Sequence, residues 1–211
     1  MNERFWDETN GAYFMGAKVV GGTSLSTRPK ELYDNSIPSG NSVALRVLSQ
    51  LFKRTGNPDF EARANQLIAA LSSRVTQQPE GFFYLLTGIN EHLAGEASNL
   101  QYGGRGVVRS KASRNEDKLI VSITLADGWH VNSDAPLQDY LIPTKLTNTA
   151  GNSLENVNFP QAQVRTLGFQ RAELSLFENT FEIQAKWPGH KEANSTVVNL
   201  QIQACNDEIC L

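Results

Sequence analysis

Two cysteines, Cys205 and Cys210, stand near the end of the 211-residue sequence, where a strand-like run finishes. A close pair of this kind indicates disulfide, metal or redox chemistry, whereas lone cysteines are more often unrelated thiols. If Cys205 ends one strand and Cys210 begins the next, the turn between them brings the two sulfur atoms face to face. Opposing arms of a tight hairpin can hold Cα atoms at the separation of about 4.4 to 6.8 Å that a disulfide requires.

A disulfide that closes so short a loop is expected to be a weak structural staple. In the loop-entropy model it removes only about 2 kcal/mol of unfolded-state entropy, compared with about 4 to 5 kcal/mol for a long loop. A bond at an exposed turn is better suited to being made and broken, so we favour a redox role for the pair. A permanent structural disulfide stays open as an alternative.

Two acidic residues, Asp207 and Glu208, lie between the cysteines. Their charge opposes formation of a thiolate, which is the attacking species in thiol–disulfide exchange. No cationic residue close by in the sequence counteracts them. We therefore expect the disulfide to be opened by an activated thiolate of a partner protein, after which the reduced pair serves a second protein.

Zinc is the other chemistry that paired cysteines suggest. Structural zinc sites use four ligands, commonly with a CxxC spacing, whereas this sequence has two cysteines and three scattered histidines, His92, His130 and His190. We therefore expect no metal and no other cofactor. His130 follows Trp129 at the start of a predicted strand, and we expect a partly buried histidine with a hydrogen-bonded partner there rather than a catalytic group.

The residues that lead to the cysteines are predicted to form strands. From Lys118 onward the apolar residues recur at every second position, as in a strand with one buried face. This face comprises Leu119, Val121, Ile123 and Leu125. The predicted strands cover residues 118–125, 129–132, 141–147, 163–167, 180–186 and 196–204. Short strands separated by turn residues over about 100 residues predict an antiparallel β-sandwich.

The first part of the chain is predicted to be helical. Apolar residues recur there at helical spacing in two stripes. The stripes are Val43, Val47, Leu48 and Leu51, and then Ala64, Leu67, Ile68 and Leu71. Gly56 and Pro58 lie between the stripes and are suited to ending one helix and beginning the next, so we predict a helical hairpin. A third helix is predicted from Gly81 or Phe82 to His92.

These patterns predict an α+β chain with two domains. The helical domain covers residues 1–95, and the β-sandwich covers residues 116–211. Residues 96–115 are rich in glycine and polar side chains, so we interpret them as a linker.

Two motifs in the second half carry a resemblance to a known family. They are DGWHVNS at residues 127–133 and VNLQIQACNDEICL at residues 198–211. Both resemble the N-terminal periplasmic domain of DsbD, a thiol:disulfide interchange protein. The resemblance implies an immunoglobulin-like fold in which Cys205 and Cys210 pass reducing equivalents between a thioredoxin-like donor and acceptor proteins. It also implies a loop that covers the cysteines, which the segment starting at Asp134 or the region of Phe169 could supply.

Three motifs in the first half resemble a second family. They are FWDETNGAYF at residues 5–14, RPKELYD at 28–34 and PSGNSV at 38–43. In this order they resemble the end of proteins of the YyaL-type family, also called the spermatogenesis-associated, thioredoxin-domain-containing family. The resemblance implies a thioredoxin-like domain followed by a six-hairpin α/α barrel akin to sugar epimerases and glycosidases. The helical domain would then be a partial α/α barrel.

Charged and amide groups in these motifs have two interpretations. Glu31, Asp34 and Asn41 could line a barrel pocket that binds sugar hydroxyl groups. Alternatively, Ser39 or Asn41 caps a helix while the two carboxylates lie in solvent or pair with nearby cations. We favour capping, because a sugar site draws residues from several hairpins. The alternative to a redox relay is accordingly a carbohydrate-related barrel remnant joined to a β-sandwich that only binds partners.

Composition argues against two other classes of function. The net charge of −3 gives no electrostatic reason to expect nucleic acid, and no stretch approaches the roughly 18 apolar residues of a membrane span.

No signal peptide is visible at the start. The DsbD resemblance and the disulfide chemistry favour the periplasm or another extracytoplasmic space. A partial barrel should expose apolar faces, so we expect the helical part to pack against the sandwich or to self-associate.

Overall fold

The chain folds into two compact units, Met1–Ala97 and Ser98–Leu211. The structure, a computed structural model, describes residues 1–18, 27–96, 98–167, 172–188 and 196–211. The described part of the first unit is built from α-helices, and that of the second unit is built mainly from antiparallel strands. The predicted α+β class is therefore confirmed. None of the helices in the described ranges is both long and apolar enough to cross a membrane.

Four α-helices lie in the described part of the first unit. They are α1 (Asn2–Phe5), α2 (Gly40–Thr55), α3 (Pro58–Gln77) and α4 (Phe83–Ala94). The Ser39 hydroxyl accepts a hydrogen bond from the Ser42 amide and so caps the start of α2. Gly56 ends α2 with a φ of 66°, a left-handed conformation that glycine adopts without strain. Pro58 occupies the first turn of α3, so the predicted helical hairpin is confirmed.

The helices pack around one apolar core. Its large side chains are Leu45, Leu48, Leu67, Leu71, Phe82 and Leu85. The predicted stripe of α3 is confirmed, but most of the stripe predicted for α2 is wrong, since Val43, Val47 and Leu51 are exposed. Helix α2 instead buries Ala44 and Leu45 with Leu48. Both faces carry apolar residues at helical spacing, and contacts with α3 and α4 decide which face is buried.

Ten strands lie in the described part of the second unit. They are β1 (Leu100–Gly103), β2 (Val108–Asn115), β3 (Lys118–Leu125), β4 (His130–Asn132), β5 (Lys145–Asn148), β6 (Gln163–Thr166), β7 (Glu173–Glu178), β8 (Thr180–Lys186), β9 (Val198–Gln201) and β10 (Ala204–Cys205). The orders are β1-β2-β3-β8 in one sheet, β10-β4-β7-β6 in a second, and β5-β9 in a two-stranded pair. All of these pairings are antiparallel.

Residues from both four-stranded sheets share one apolar core. The alternation predicted for β3 is confirmed, because every second residue from Leu119 to Leu125 is buried. Opposite them, β8 places Ile183 against Val121 in the ladder. The second sheet contributes Val131 and Phe177 to the same core.

The interpretation of residues 96–115 as a linker is wrong, because they contain β1 and β2. Strand β2 pairs along its whole length with β3. Only Val108 of β2 is fully buried, and the remaining side chains are partly or fully exposed. A strand with so little buried surface shows no apolar alternation, which explains why composition indicated a linker.

Strand β7 was not predicted from the sequence. It is an inner strand between β4 and β6, and four consecutive residues, 174–177, are buried. A strand buried on both faces has no period of two, so the pattern used for prediction does not detect it.

The strand predicted at 196–204 is divided between two sheets. Strand β9 pairs with β5, whereas β10 pairs with β4. The change of partner occurs at Ile202 and Gln203, between the two strands. It brings the last part of the chain, including Cys205, onto the edge of the second four-stranded sheet.

Candidate functional site

Cys205 and Cys210 form a disulfide at the end of the second sheet. Their Cα atoms lie 4.0 Å apart, slightly closer than the expected range. The two residues face each other as an antiparallel bridge. On one side the Leu211 amide donates to the Ala204 carbonyl at 2.8 Å, and on the other the Asn206 amide donates to the Ile209 carbonyl at 2.9 Å. The predicted hairpin between the cysteines is therefore confirmed.

Asn206 shapes the turn of this hairpin. Its side-chain Oδ1 accepts hydrogen bonds from the amides of Glu208 at 2.9 Å and Ile209 at 2.8 Å. Asparagine is favoured in turns because its side chain can replace backbone partners in this way. Sequence reasoning did not single out Asn206, although an Asn-Asp pair between two cysteines is a usable turn signal.

The two cysteines differ in exposure. Cys205 is only 4% exposed, whereas Cys210 is exposed. The exposed position of Cys210 gives an attacking thiolate access to one end of the bond. The other end lies in a strand and is shielded from solvent.

His130 lies directly opposite Cys205 in the ladder between β10 and β4. On its other side His130 faces Glu178 of β7. Val131, the next residue along β4, points into the apolar core. Because side chains alternate along a strand, His130 and Cys205 lie on the opposite face of the sheet. His130 is nevertheless only 5% exposed.

Burial lowers the pKa of His130 below its usual value of 6.5, while the charges of Glu178 and Asp207 act in the opposite direction. Its burial agrees with the sequence expectation. The expected hydrogen-bonded partner is not found among the described residues. The strand neighbours of His130 are Cys205 on one side and Glu178 on the other. Glu178 in turn pairs with Arg165 at 3.2 Å.

The last residue of β4, Asn132, links the segment after β4 to Gln203, which lies just before β10. The Asn132 side-chain amide donates to the Ile142 carbonyl and to the Gln203 side chain, each at 3.0 Å. Asp134 lies at the start of this segment and is exposed. Phe169, the other candidate for a covering loop, lies outside the described residues. A cap over the cysteines thus stays a prediction.

Asp34 makes structural contacts in the helical unit. Its carboxylate accepts hydrogen bonds from the Ser39 amide at 2.9 Å and from the amides of Tyr84 and Leu85 at 3.0 Å each. The last two amides belong to the first turn of α4, whose free N–H groups a carboxylate satisfies. The expectation that Asp34 lies in solvent or pairs with a cation is therefore wrong. Lys30 instead pairs with Asp7 at 2.6 Å.

Asn41 is also used structurally. Its Oδ1 accepts from the Tyr13 amide at 2.7 Å, and its Nδ2 donates to the carbonyls of Tyr13 at 3.0 Å and Glu31 at 2.8 Å. These contacts tie the start of α2 to two preceding segments. The residue is buried, so little of its amide is available to a ligand. Glu31 itself is exposed.

The three candidate pocket residues do not share one cavity. Glu31 and Asn41 line a pocket of about 330 Å³, together with Tyr13 and other aromatic residues. Asp34 lines a different pocket of about 320 Å³ beside Tyr84. The structure therefore does not assemble them into a single polar site. Within the described ranges, no group of three or more histidine, cysteine or acidic residues is arranged to hold a metal ion.

Proteins similar to the helical half are known. The chain is 36% identical over 75 residues to spermatogenesis-associated protein 20 of Rattus norvegicus and 35% identical over 75 residues to that of Homo sapiens. Each match covers 36% of this chain and lies in its N-terminal region. The chain spans only 9% of the length of these curated relatives. The resemblance drawn from the three N-terminal motifs is confirmed.

Two solved structures are each similar to about half of this chain. The N-terminal periplasmic domain of ScsB from Proteus mirabilis has 16% identity and a TM-score of 0.36, covering 49% of this chain and 41% of that one. The reduced N-terminal domain of DsbD from Neisseria meningitidis has 12% identity and a TM-score of 0.34, covering 50% of this chain and 77% of that one.

A family model described as the N-terminal part of the thiol:disulfide interchange protein DsbD matches residues 104–211. The matched region covers just over half of the chain and contains the whole disulfide hairpin, its partner strand β4 and both four-stranded sheets except for β1. This chain therefore belongs to the DsbD N-terminal domain family.

Proposed function

We propose that this chain is a thiol–disulfide exchange module that relays reducing equivalents from a thioredoxin-like donor to acceptor proteins. Cys205 and Cys210 are its working groups. The observation that carries the proposal is the disulfide hairpin, in which one cysteine is exposed and the other is buried. Membership of the DsbD N-terminal family supports the same chemistry.

The exposure difference sets the order of the exchange. A donor thiolate attacks the Cys210 sulfur, the bond between the cysteines breaks, and its electron pair leaves on the Cys205 sulfur. The mixed disulfide is then resolved by the second thiol of the donor, which expels Cys210 and closes the donor's own disulfide. The pair has gained two electrons and two protons, and the donor dithiol has become a disulfide.

The charges of the turn support a partner-driven mechanism. Asp207 and Glu208 are both exposed between the cysteines, and their negative charge disfavours a thiolate on this hairpin. A reduced pair of this kind is a weak spontaneous nucleophile. Docking to an acceptor protein is then needed for onward transfer, which limits unproductive reaction with other disulfides.

Incubation of the oxidised chain with a reduced thioredoxin-like donor tests the proposal. Mass spectrometry should show the gain of two hydrogen atoms at the pair. A donor whose second cysteine is replaced by serine should be trapped on Cys210 rather than on Cys205, and peptide mapping distinguishes the two. A bond that survives both reagents in the folded chain would show that the disulfide is a structural staple.

We extend the proposal to fold and location. Two sheets that share a core, with the motifs at 127–133 and 198–211, support an immunoglobulin-like sandwich. The burial of His130 and Cys205 on the face away from that core supports a covering segment that starts at Asp134.

A disulfide carrier works where thiols are not held reduced, which supports a location in the periplasm or another extracytoplasmic space.

For the helical unit we propose a scaffolding role as part of an α/α barrel. Asp34 and Asn41 use their side-chain polar atoms on backbone groups of this chain. Their hydrogen bonds favour capping and bracing over binding of sugar hydroxyl groups. Isothermal titration with monosaccharides tests this role, since heat of binding that Glu31→Gln abolishes would reveal a sugar site.

A further inference from the structure

The sulfur that leaves during exchange is in a shielded position. Attack on the exposed Cys210 places the departing electron pair on Cys205, which is 4% exposed. A thiolate in such a position is costly, because burial disfavours the charged form of a thiol. Departure is therefore easier if a neighbouring group donates a proton or a hydrogen bond to this sulfur.

His130 is placed to be that group. It is the direct partner of Cys205 across β4 and β10, and directly opposed residues on adjacent strands have their side chains on the same face with Cβ atoms about 5 Å apart. Its ring has no hydrogen bond to the described part of the chain in the oxidised form. An imidazole nitrogen is thus available when the disulfide opens.

The charges around His130 come from three neighbouring elements. Glu178 of β7 lies opposite it on the side away from Cys205, and Arg165 of β6 pairs with that carboxylate. Asp207 in the hairpin turn also acts on the imidazole. Both carboxylates favour the protonated ring, whereas burial favours the neutral one and prevails.

We infer that His130 protonates the Cys205 sulfur as it leaves. This inference rests on the proposed exchange function. In the step, the attacking thiolate forms a bond to Cys210, the bond between the cysteines breaks, and the electron pair on Cys205 takes the imidazolium proton. Neutral imidazole then recovers a proton from solvent. The transfer is favourable because a buried thiol holds its proton more tightly than an imidazolium does.

The test measures how fast dithiothreitol opens the disulfide of the full chain between pH 8 and pH 5. Each rate constant is divided by the concentration of dithiothreitol thiolate, which removes the titration of the attacking reagent. The normalised constant should rise by about tenfold or more as His130 becomes protonated. His130→Gln should show no such rise, while His92→Gln, altered at a histidine of the helical unit, should match the unaltered chain.

Two carboxylate variants sharpen the result. Glu178→Gln should move the rise to lower pH, because this carboxylate favours the imidazolium, and Asp207→Asn should move it in the same direction. A flat profile for the unaltered chain, or an equal rise in His130→Gln, overturns the role of His130. Circular dichroism at each pH confirms that the compared chains are folded.

The donor experiment separates this inference from the proposed function. If a reduced thioredoxin-like donor opens the unaltered chain and His130→Gln with the same pH profile, the exchange function stands and the proton donor is wrong. If the donor opens neither chain at any pH, the exchange function itself fails.

Discussion

At the scale of single residues, Cys205 is buried and Cys210 is exposed, and the proposed exchange gives the two cysteines different roles on this basis. In the reduced chain we expect iodoacetamide to modify Cys210 about tenfold faster than Cys205, since access and thiolate character both favour the exposed thiol. Peptide mapping by mass spectrometry after short labelling times measures the ratio. If the two thiols are labelled equally fast in the folded chain, as they are in the chain unfolded in urea, the proposed order of attack is contradicted.

The turn residue Asn206 should set how readily the disulfide forms. Asn206→Ala removes the acceptor for the amides of Glu208 and Ile209, which should weaken the hairpin by about 1 kcal/mol. The equilibrium constant for disulfide formation against glutathione should fall about fivefold accordingly. Asn206→Asp keeps an acceptor at this position and serves as the matched control. An unchanged constant in the alanine variant would show that the strands alone hold the cysteines together.

At the scale of elements, Asn41 joins α2 to the segments that carry Tyr13 and Glu31. Asn41→Ala leaves the buried amide and carbonyl of Tyr13 without their side-chain partner, so the helical unit should lose about 2 to 4 kcal/mol of unfolding free energy. Urea denaturation followed by helical circular dichroism measures this loss. Glu31→Gln changes an exposed side chain nearby and should stay within about 0.5 kcal/mol. A large effect in the control, or none in Asn41→Ala, would contradict the bracing role.

His92 connects three helices and should make the helical unit sensitive to acid. Its Nδ1 lies 3.0 Å from the Ser49 hydroxyl of α2, and its Nε2 lies 3.0 Å from the Asn65 side chain of α3. Burial lowers the pKa of His92 in the folded chain below the usual 6.5. The unfolded chain therefore binds more protons once the pH falls through 6.5 towards the folded-state pKa.

Unfolding free energy should consequently decrease as the pH is lowered from 7 to 5. The dependence should be weaker in His92→Gln, which keeps a polar side chain but has no group that titrates in this range. Urea midpoints of the helical signal at several pH values measure the effect. Identical pH dependence in both chains would show that other groups cause it.

The strands illustrate which elements could be predicted. Strands β3 and β8 each have one buried face, and their apolar alternation agrees with the structure residue by residue. Strand β7 is buried on both faces and β2 is mostly exposed, so neither alternates and neither was predicted. A strand was predicted from the sequence when its two faces differ in burial. The number of hydrogen bonds that the strand makes did not decide this.

At the scale of the whole molecule, the exposed face of α2 bears on assembly. Val43, Val47 and Leu51 form an apolar row that solvent reaches, and exposed apolar surface of this kind favours association. Self-association through the helical part stays a prediction. Multi-angle light scattering should show a mass that rises with concentration, and Val47→Lys should lower it. A constant monomer mass up to high concentration would rule this association out.

The sequence by itself determined the features that depend on neighbours along the chain. The helical hairpin, the alternating strands and the turn between Cys205 and Cys210 all follow from spacing and from residues such as Gly56 and Pro58. The motifs quoted from the two halves of the sequence were also sufficient to recognise both families. Such features are local, because hydrogen bonds and side-chain directions within one element repeat with a fixed period.

Only the tertiary structure decided which of the possible faces and partners are used. It buried Leu45 rather than Val47 on α2, directed Asp34 to the start of α4, and set His130 opposite Cys205. Each outcome depends on contacts between segments far apart in the chain. The periodicity of a sequence indicates which side chains share a face of an element, but it does not indicate which other element packs against that face. The difference in exposure between the two cysteines also depends on such contacts, since Cys205 lies in β10 beside β4 whereas Cys210 follows the turn and is exposed.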